Sequence, residues 1–187
     1  MTASQQAFIE EVLLGSAWHM ECLRAVRALA LPDWAIGAGF VRNAVWDRLQ
    51  GYEGTTPLND VDVLFFDPER TGRGFEQALE ERLARALPGC PWSPRNQARM
   101  HRRNGDRPYR NTEDALRFWL ETPTAVAVRL EDDDRLSVLA PFGLADLMAM
   151  VARPTAAGRA KIDQYRARMA AKNWPATWPG VTVQGLG

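Results

Sequence analysis

One short stretch constrains the fold of this chain more than any other, the run Asn-Asp-Val-Asp-Val at 59–63. Side chains of an extended strand alternate between its two faces, so Asp60 and Asp62 are predicted to point the same way, roughly 7 Å apart. The apolar residues continue to Phe66, which is typical of a buried strand. An isolated Asp-x-Asp pattern is common, but two carboxylates on one rigid edge are able to hold one divalent ion or to bridge two.

A turn that contains glycine lies upstream of this strand and gives the carboxylates a context. The turn is Gly37-Ala38-Gly39; the run 34–37 before it predicts a first strand, and 41–49 after it predicts a helix. Glycine lets backbone N–H groups approach a phosphate closely, and the N-terminus of a helix adds a favourable dipole. A phosphate-binding turn followed by paired carboxylates favours nucleotide chemistry.

The order of these features resembles the signature of the polymerase-β-like nucleotidyltransferase superfamily. The glycine turn, Arg42-Asn43 and the later Asp60-Val61-Asp62 are similar to the start of tRNA CCA-adding enzymes, although Asn43 stands where those enzymes carry aspartate. The similarity is greater to a bacterial group of nucleotidyltransferase-like proteins of unassigned substrate. The segments that carry it are 42–47, 59–63, 96–101 and 140–144.

This resemblance implies an activity and a set of site residues. A nucleoside monophosphate would pass from a nucleoside triphosphate to an acceptor, with release of pyrophosphate and with Mg²⁺ or Mn²⁺ as cofactor. Asp60 and Asp62 would be the catalytic and metal-binding residues. The nucleotide-binding residues would be Gly37, Ala38, Gly39, Arg42, Asn43 and Arg99. The acceptor is left open between a small molecule, RNA and protein. No segment after the core predicts a separate tRNA-binding domain, so we do not expect a complete CCA-adding enzyme.

A third carboxylate, which the superfamily carries in the middle of a later strand, is missing from the matching place. Ser137 occupies that place in a hairpin predicted over 125–130 and 135–140, and Asn96 on an earlier strand is no carboxylate. Three alternatives stay open: an acid from the hairpin turn 131–134 reaches the site, one ion is weakly held, or catalysis is lost. The alternative function is a catalytically inactive nucleotide-binding or protein-interaction module on the same fold.

A third strand is predicted over 93–100. One of its faces carries Arg95, Gln97, Arg99 and His101. We expect this basic face, Arg99 above all, to border the aspartate pair, since a triphosphate needs cationic groups around it. The alternative is a solvated edge strand on which Asn96 faces the aspartates instead.

The remaining patterns predict an α/β (α+β) nucleotidyltransferase fold, a mixed β-sheet flanked by helices. One domain, 1–187, would consist of a helical cover over 1–30 with a break near Gly15, a catalytic core over 34–147, and a C-terminal helix with a Trp/Pro-rich tail over 155–187. Further helices are predicted at 74–87, 113–120, 142–151 and 157–171.

The composition limits the partners and the location. Lys+Arg and Asp+Glu number 23 each, so no general positive field would attract nucleic acid. Two cysteines make neither a disulfide framework nor a zinc site, and no apolar run reaches the roughly 20 residues that span a bilayer. We expect a cytoplasmic protein with no membrane partner and make no prediction of its oligomeric state. Most of the seven tryptophans should be packing anchors, with Trp174 and Trp178 as candidates for base stacking.

Overall fold

A five-stranded mixed sheet forms the centre of a computed structural model, which describes residues 2–186. Its strands are β1 (Ala35–Gly37), β2 (Val61–Phe65), β3 (Trp92–Asn96), β4 (Ala127–Leu130) and β5 (Leu136–Leu139). They lie in the order β3-β2-β1-β4-β5, with β2 and β3 parallel and the other neighbours antiparallel. This sheet confirms the predicted fold class. The single domain stays a prediction, and its end residues, Met1 and Gly187, lie outside the described residues.

Helices precede, connect and follow the strands. They are α1 (Ala3–Leu14), α2 (Ala17–Arg27), α3 (Gly39–Leu49), α4 (Arg73–Ala86), α5 (Gln97–Asn104), α6 (Thr112–Leu116), α7 (Ala145–Met148), α8 (Ala156–Ala160), α9 (Ile162–Lys172) and α10 (Trp174–Thr177). The break at Gly15 is confirmed, while the helix predicted over 157–171 is divided at Lys161. Two short parallel strands that we did not predict, β6 (Val151–Ala152) and β7 (Thr182–Val183), pair the C-terminal segment with the residues after α7. Within residues 2–186, no helix has the length and apolar character needed to cross a membrane.

The pleat of the sheet separates two cores. Ile36 of β1 lies in register between Val63 and Val128, and all three belong to the large core of the molecule. Fully burying a side chain of this size contributes about 1.5–3 kcal/mol. The opposite face carries Ala35, Leu64 and Ala127 in a smaller core with Leu116. Because alternate residues share a face, Asp62 lies on the side of this smaller core.

The strand predicted over 93–100 is wrong in its second half. β3 ends at Asn96, whose buried side chain accepts a hydrogen bond from the Ala98 N–H at 3.1 Å and so caps α5. Its amide also donates to the carbonyl oxygens of Asp67 at 2.7 Å and Arg70 at 2.9 Å. Asparagine side chains favour such capping positions over strand interiors. The residues of the predicted basic face beyond Arg95 therefore lie on a helix.

A buried aspartate ties two distant segments to α3. Asp47 accepts hydrogen bonds from the Thr56 N–H at 2.7 Å, from the Thr56 hydroxyl at 2.6 Å and from the Trp178 indole N–H at 2.7 Å. The Trp178 ring packs edge-on against Trp46, with ring centroids 5.2 Å apart. The loop that leads to Asp60 and the C-terminal tryptophan segment are thereby fixed to the same helix.

Asp47→Ala should lower the free energy of unfolding by about 2–4 kcal/mol, because it removes three hydrogen bonds to a charged group and leaves buried donors without partners. Urea unfolding measures the change. Asp132→Ala, at an exposed position of the β4–β5 turn, is the control and should change stability by less than about 0.5 kcal/mol. Equal effects of the two substitutions would contradict this role of Asp47.

Candidate active site

A cavity of about 590 Å³ opens beside the start of β2. Asp60 and Asp62 both line it, as their shared face predicts. The other walls come from the N-terminus of α3, the loop 56–59, the end of α5, the segment 118–121, one face of α9 and the residues around α10. Three carboxylates and five basic side chains meet there; they are Asp60, Asp62, Glu121, Arg42, Arg103, Lys161, Arg168 and Lys172.

The two aspartates are electrostatically coupled. Asp60 is exposed, whereas Asp62 is half-buried. Burial, and after it the negative charge of Asp60, raise the pKa of Asp62 to about 6, against the opposing effect of nearby arginines. Two like charges in a partly desolvated place repel each other, and a cation beside them would relieve that repulsion.

The N-terminus of α3 is open to the cavity. No side chain caps it, and its first residues, Ala38 and Gly39, line the cavity. An uncapped helix N-terminus leaves backbone N–H groups without intrahelical partners and favours an anion. A Cβ at Gly39 would lie 3.0 Å from Leu58 Cδ2 and 3.5 Å from Arg42 Nη2, so glycine keeps this entrance free. The positive φ of the turn, 55°, belongs to Ala38 and not to a glycine.

Arg42 is a buried cation in the cavity wall. Its Nη2 donates to Asn43 Oδ1 at 2.7 Å, and its guanidinium carbon lies 4.5 Å from the centroid of the Trp174 ring. Its Nε has no hydrogen-bond partner among the described residues. Burial lowers the pKa of Arg42 to about 10, so the group stays charged at neutral pH. Arg42 therefore has a free donor for an anionic ligand.

Glu121 is a site residue that the sequence reasoning missed. Its side chain is 1% exposed, and its Oε1 accepts from Arg168 Nε at 2.8 Å and from the Thr124 hydroxyl at 2.7 Å. Its Oε2 is buried and has no partner within residues 2–186. The only sequence signal is a charged residue directly after the apolar run Phe118-Trp119-Leu120. A buried carboxylate oxygen without a partner is costly, so it marks a place for a ligand donor.

The helix α9 forms one long wall of the cavity. Gln164, Arg168 and Lys172 line the cavity at four-residue spacing, which puts them on one face of the helix, and Lys161 lines it directly before the helix begins. At the C-terminal end of this wall, Trp174 and Trp178 are buried, pack edge-on against Trp46, and also line the cavity. Both candidates for base stacking are thus packing anchors in the cavity wall.

Gly37 and Arg99 are not among the residues that line this cavity. A Cβ on Gly37, within β1, would lie 3.2 Å from Leu64 Cδ1 and 3.3 Å from the Ala127 Cβ, so glycine serves sheet packing there. Arg99 lies on α5 and forms an ion pair with the buried carboxylate of Glu76 in a separate groove. Their predicted contacts with nucleotide have no support from this geometry and stay untested. Arg95 is the one residue of the predicted basic face whose charge lowers the pKa of Asp62.

The acids of the hairpin turn do not reach the cavity. Glu131 accepts hydrogen bonds from Ser137 and Arg129, and Asp134 pairs with Arg27 at 2.8 Å. The first of the three alternatives for a third carboxylate is therefore wrong. The residues in register with Asp62 on β1, β4 and β5 are Gly37, Ala127 and Leu139, and none of these three is a carboxylate. No group of three His, Cys, Asp or Glu side chains within residues 2–186 is placed to hold a metal ion.

Comparison with protein families identifies the chain. A family model described as Nucleotidyltransferase matches residues 24–183. The chain belongs to this family. The polymerase-β-like resemblance is thereby confirmed, and so is the use of this fold for nucleotidyl transfer.

Three solved structures show how this nucleotidyltransferase fold recurs. An NMR structure described as revealing a CCA-adding enzyme head domain is 30% identical, has a TM-score of 0.82 and matches over 94% of each chain. A CCA-adding enzyme in complex with CTP is 15% identical with a TM-score of 0.61, and a tRNA-processing enzyme is 17% identical with a TM-score of 0.56. The nucleotidyltransferase covers 94% and 88% of its own length in these two matches, but only 43% and 45% of theirs. No match is found among curated proteins.

Asp62→Asn should stabilise the metal-free protein at neutral pH and leave it unchanged near pH 3.5. A pKa raised from 3.8 to about 6 means that the folded state binds the proton more tightly, so wild-type stability falls as pH rises through that window. The substitution should remove this fall, a gain of about 1–2 kcal/mol at pH 7.5. Urea unfolding in a chelator from pH 3.5 to 8 measures it. Parallel curves for both proteins would overturn the electrostatic account.

Proposed function

We propose that this nucleotidyltransferase transfers a nucleoside monophosphate from a nucleoside triphosphate to an acceptor hydroxyl, with release of pyrophosphate and with dependence on a divalent ion. One observation carries the proposal: the Asp60–Asp62 pair, the uncapped N-terminus of α3 and the buried cation Arg42 line a single cavity. A triphosphate carries the charge that the helix and the arginine favour, and its metal ion is what paired carboxylates favour.

The residues present fit a magnesium or manganese ion. Asp60 and Asp62 would supply oxygen ligands. Burial, and after it the charge of Asp60, raise the pKa of Asp62 despite the nearby arginines, so the protein alone compensates the negative charge of Asp62 incompletely. Mg²⁺ usually binds through one or two carboxylates and completes its shell with water and substrate phosphates, so two acids suffice. The ion would stabilise charge at the reacting phosphate and activate the acceptor hydroxyl.

The chain's other residues would orient the triphosphate. The backbone N–H of Gly39 at the N-terminus of α3, with the free Nε of Arg42, would bind the β- and γ-phosphates at one end of the cavity. Asn43, held by Arg42, would fix the direction of that guanidinium. The nucleoside would then lie along the middle of α9, where Gln164, Arg168 and the free Oε2 of Glu121 supply donors and an acceptor.

The related structures support a nucleotide as a partner, but they do not identify the acceptor. One of them is a CCA-adding enzyme in complex with CTP, and another is a tRNA-processing enzyme. Both are longer proteins with low identity to this chain, so their acceptors do not carry over. The cytoplasmic location stays a prediction.

A second candidate function is a nucleotide-binding module without catalysis. The observation that favours it is the lack, within residues 2–186, of a three-acid metal site. Pyrophosphate release with Mg²⁺ or Mn²⁺, measured over a panel of nucleoside triphosphates and hydroxyl acceptors, separates the two functions. Saturable nucleotide binding without release across the panel would favour the module.

Asp60→Asn and Asp62→Asn should each weaken triphosphate binding in Mn²⁺ by roughly 100-fold, because the carboxylates supply the protein's charge on the ion. Neither should lower the melting temperature, since each removes a repelling like charge. Calorimetric titration with a nonhydrolysable triphosphate, with and without Mn²⁺, measures the effect. Asp132→Asn, in the exposed hairpin turn, is the control. Unchanged affinity in both site variants would refute the assignment.

Gly39→Val should weaken triphosphate binding by about tenfold, because a side chain there would occupy the space beside the open helix N-terminus. Its nearest contact is the flexible end of Leu58, so the melting temperature should change little. Gly54→Val is the matched control, since a Cβ at Gly54 meets nothing within 4 Å. A large loss of stability with normal affinity would instead make Gly39 a structural glycine.

A further inference from the structure

The two ends of the cavity differ, and α9 shows how far apart they are. The helix has 11 residues, which corresponds to about 16 Å. At its start, Lys161 Nζ donates to Asp106 Oδ1 at 2.6 Å and to the Asn104 carbonyl at 2.8 Å. Beyond its end, the Trp174 ring lies under the guanidinium of Arg42. The helix therefore connects an Arg42 end with an Asn104 end.

The aspartate pair lines the same cavity as both ends. Between the two ends, Arg168 on the second turn of α9 pairs with Glu121 at 2.8 Å in the cavity wall. In a phosphoryl or nucleotidyl transfer, the attacking and leaving oxygens lie roughly in line across the reacting phosphorus. If pyrophosphate leaves toward Arg42 and the N-terminus of α3, the acceptor must approach from the Asn104 end.

The Asn104 end combines positive charge with aromatic surface. Arg103 and Asn104 from the end of α5, Lys161, and the half-buried ring of Phe118 line the cavity here. Asp106 at this end is already paired with Lys161 at 2.6 Å. An anionic group on the acceptor would find the exposed guanidinium of Arg103, and a flat or apolar part would find the ring.

The surface beyond Arg103 argues against a long polynucleotide. Arg103 also borders a neighbouring groove, in which Arg73, Arg95 and Arg99 are interspersed with Glu76, Glu80 and Glu81. A chain of phosphates along this groove would meet carboxylates at several steps, and the protein's net charge of zero gives no compensating field. The favourable region for an anion is thus confined to the cavity end.

We propose, building on the proposed function, that the acceptor is a small hydroxyl compound with an anionic group and a flat or apolar part, held between Arg103 and Phe118. Its hydroxyl oxygen forms the new bond to the α-phosphorus, while the bond from that phosphorus to the bridging oxygen breaks. The bonding electron pair leaves with pyrophosphate, and the hydroxyl proton passes to solvent water.

Three phenols of different charge test which charge the proposed acceptor site prefers. The anionic one is 4-hydroxyphenyl phosphate, the neutral one is hydroquinone, and the cationic one is tyramine. Binding to the intact chain is measured by calorimetry and by changes in the NMR signals of Phe118 and Asn104. The anion should bind most tightly, and Arg103→Glu should weaken it by about tenfold or more, because a charged hydrogen bond becomes a repulsion. Phe118→Ala should weaken the anion and hydroquinone alike. Arg102→Glu, exposed on the same helix and outside the cavity lining, should change neither.

These readouts are independent of nucleotidyl transfer. Arg103-dependent binding of the phosphate supports the acceptor site even if no pyrophosphate is released, in which case only the proposed function fails. Binding that Arg103→Glu leaves unchanged, preferential binding of tyramine, or no binding of any phenol would overturn the proposal. So would an oligoribonucleotide that binds more tightly than the phosphate and is weakened equally by Arg102→Glu and Arg103→Glu, since that result indicates a polynucleotide surface.

Discussion

The negative charge on β2 is the constraint on which the rest of the site depends. Asp62 lies on β2 and Asp60 directly precedes that strand, and the partial burial of Asp62 makes the repulsion between the two carboxylates stronger. The chain compensates with arginines from three separate parts of the fold, Arg42 of α3, Arg95 of β3 and Arg168 of α9. The compensation is incomplete, and the remaining negative charge is the physical support for the proposal that the cavity binds a cation.

The compensating arginines in turn depend on aromatic packing. Arg42 is almost fully buried, which is costly for a guanidinium, and the rings of Trp46 and Trp174 offset part of that cost by lying 5.5 Å and 4.5 Å from its carbon atom. Those rings stay in place because Asp47 holds Trp178 against the same cluster. The packing that stabilises the fold therefore also positions Arg42 in the cavity wall. Arg42 Nε, and Glu121 Oε2 elsewhere in the same wall, have no hydrogen-bond partner within residues 2–186.

Local sequence patterns were sufficient to predict the strands and helices in which apolar residues alternate or recur at a regular spacing. The alternation around Asp60 and Asp62 placed β2 and the shared cavity correctly, and helical periodicity located the main helices. Prediction failed where a side chain made a contact that periodicity does not describe. Asn96 ended β3 by capping a helix, and the two-residue strands β6 and β7 exist only through long-range pairing. Glu121 became a site residue through its pairing with Arg168, 47 positions later.

The C-terminal wall of the cavity has a consequence for the order in which the site is assembled during synthesis. The bond between Asp47 and Trp178 joins residues 131 positions apart, and ribosomes need on the order of ten seconds to add that many residues. During that interval the nascent chain already contains both aspartates but lacks Arg168 and the tryptophans that close the cavity. The wall of the cavity should therefore be completed only late in synthesis, after the C-terminal segment has been added.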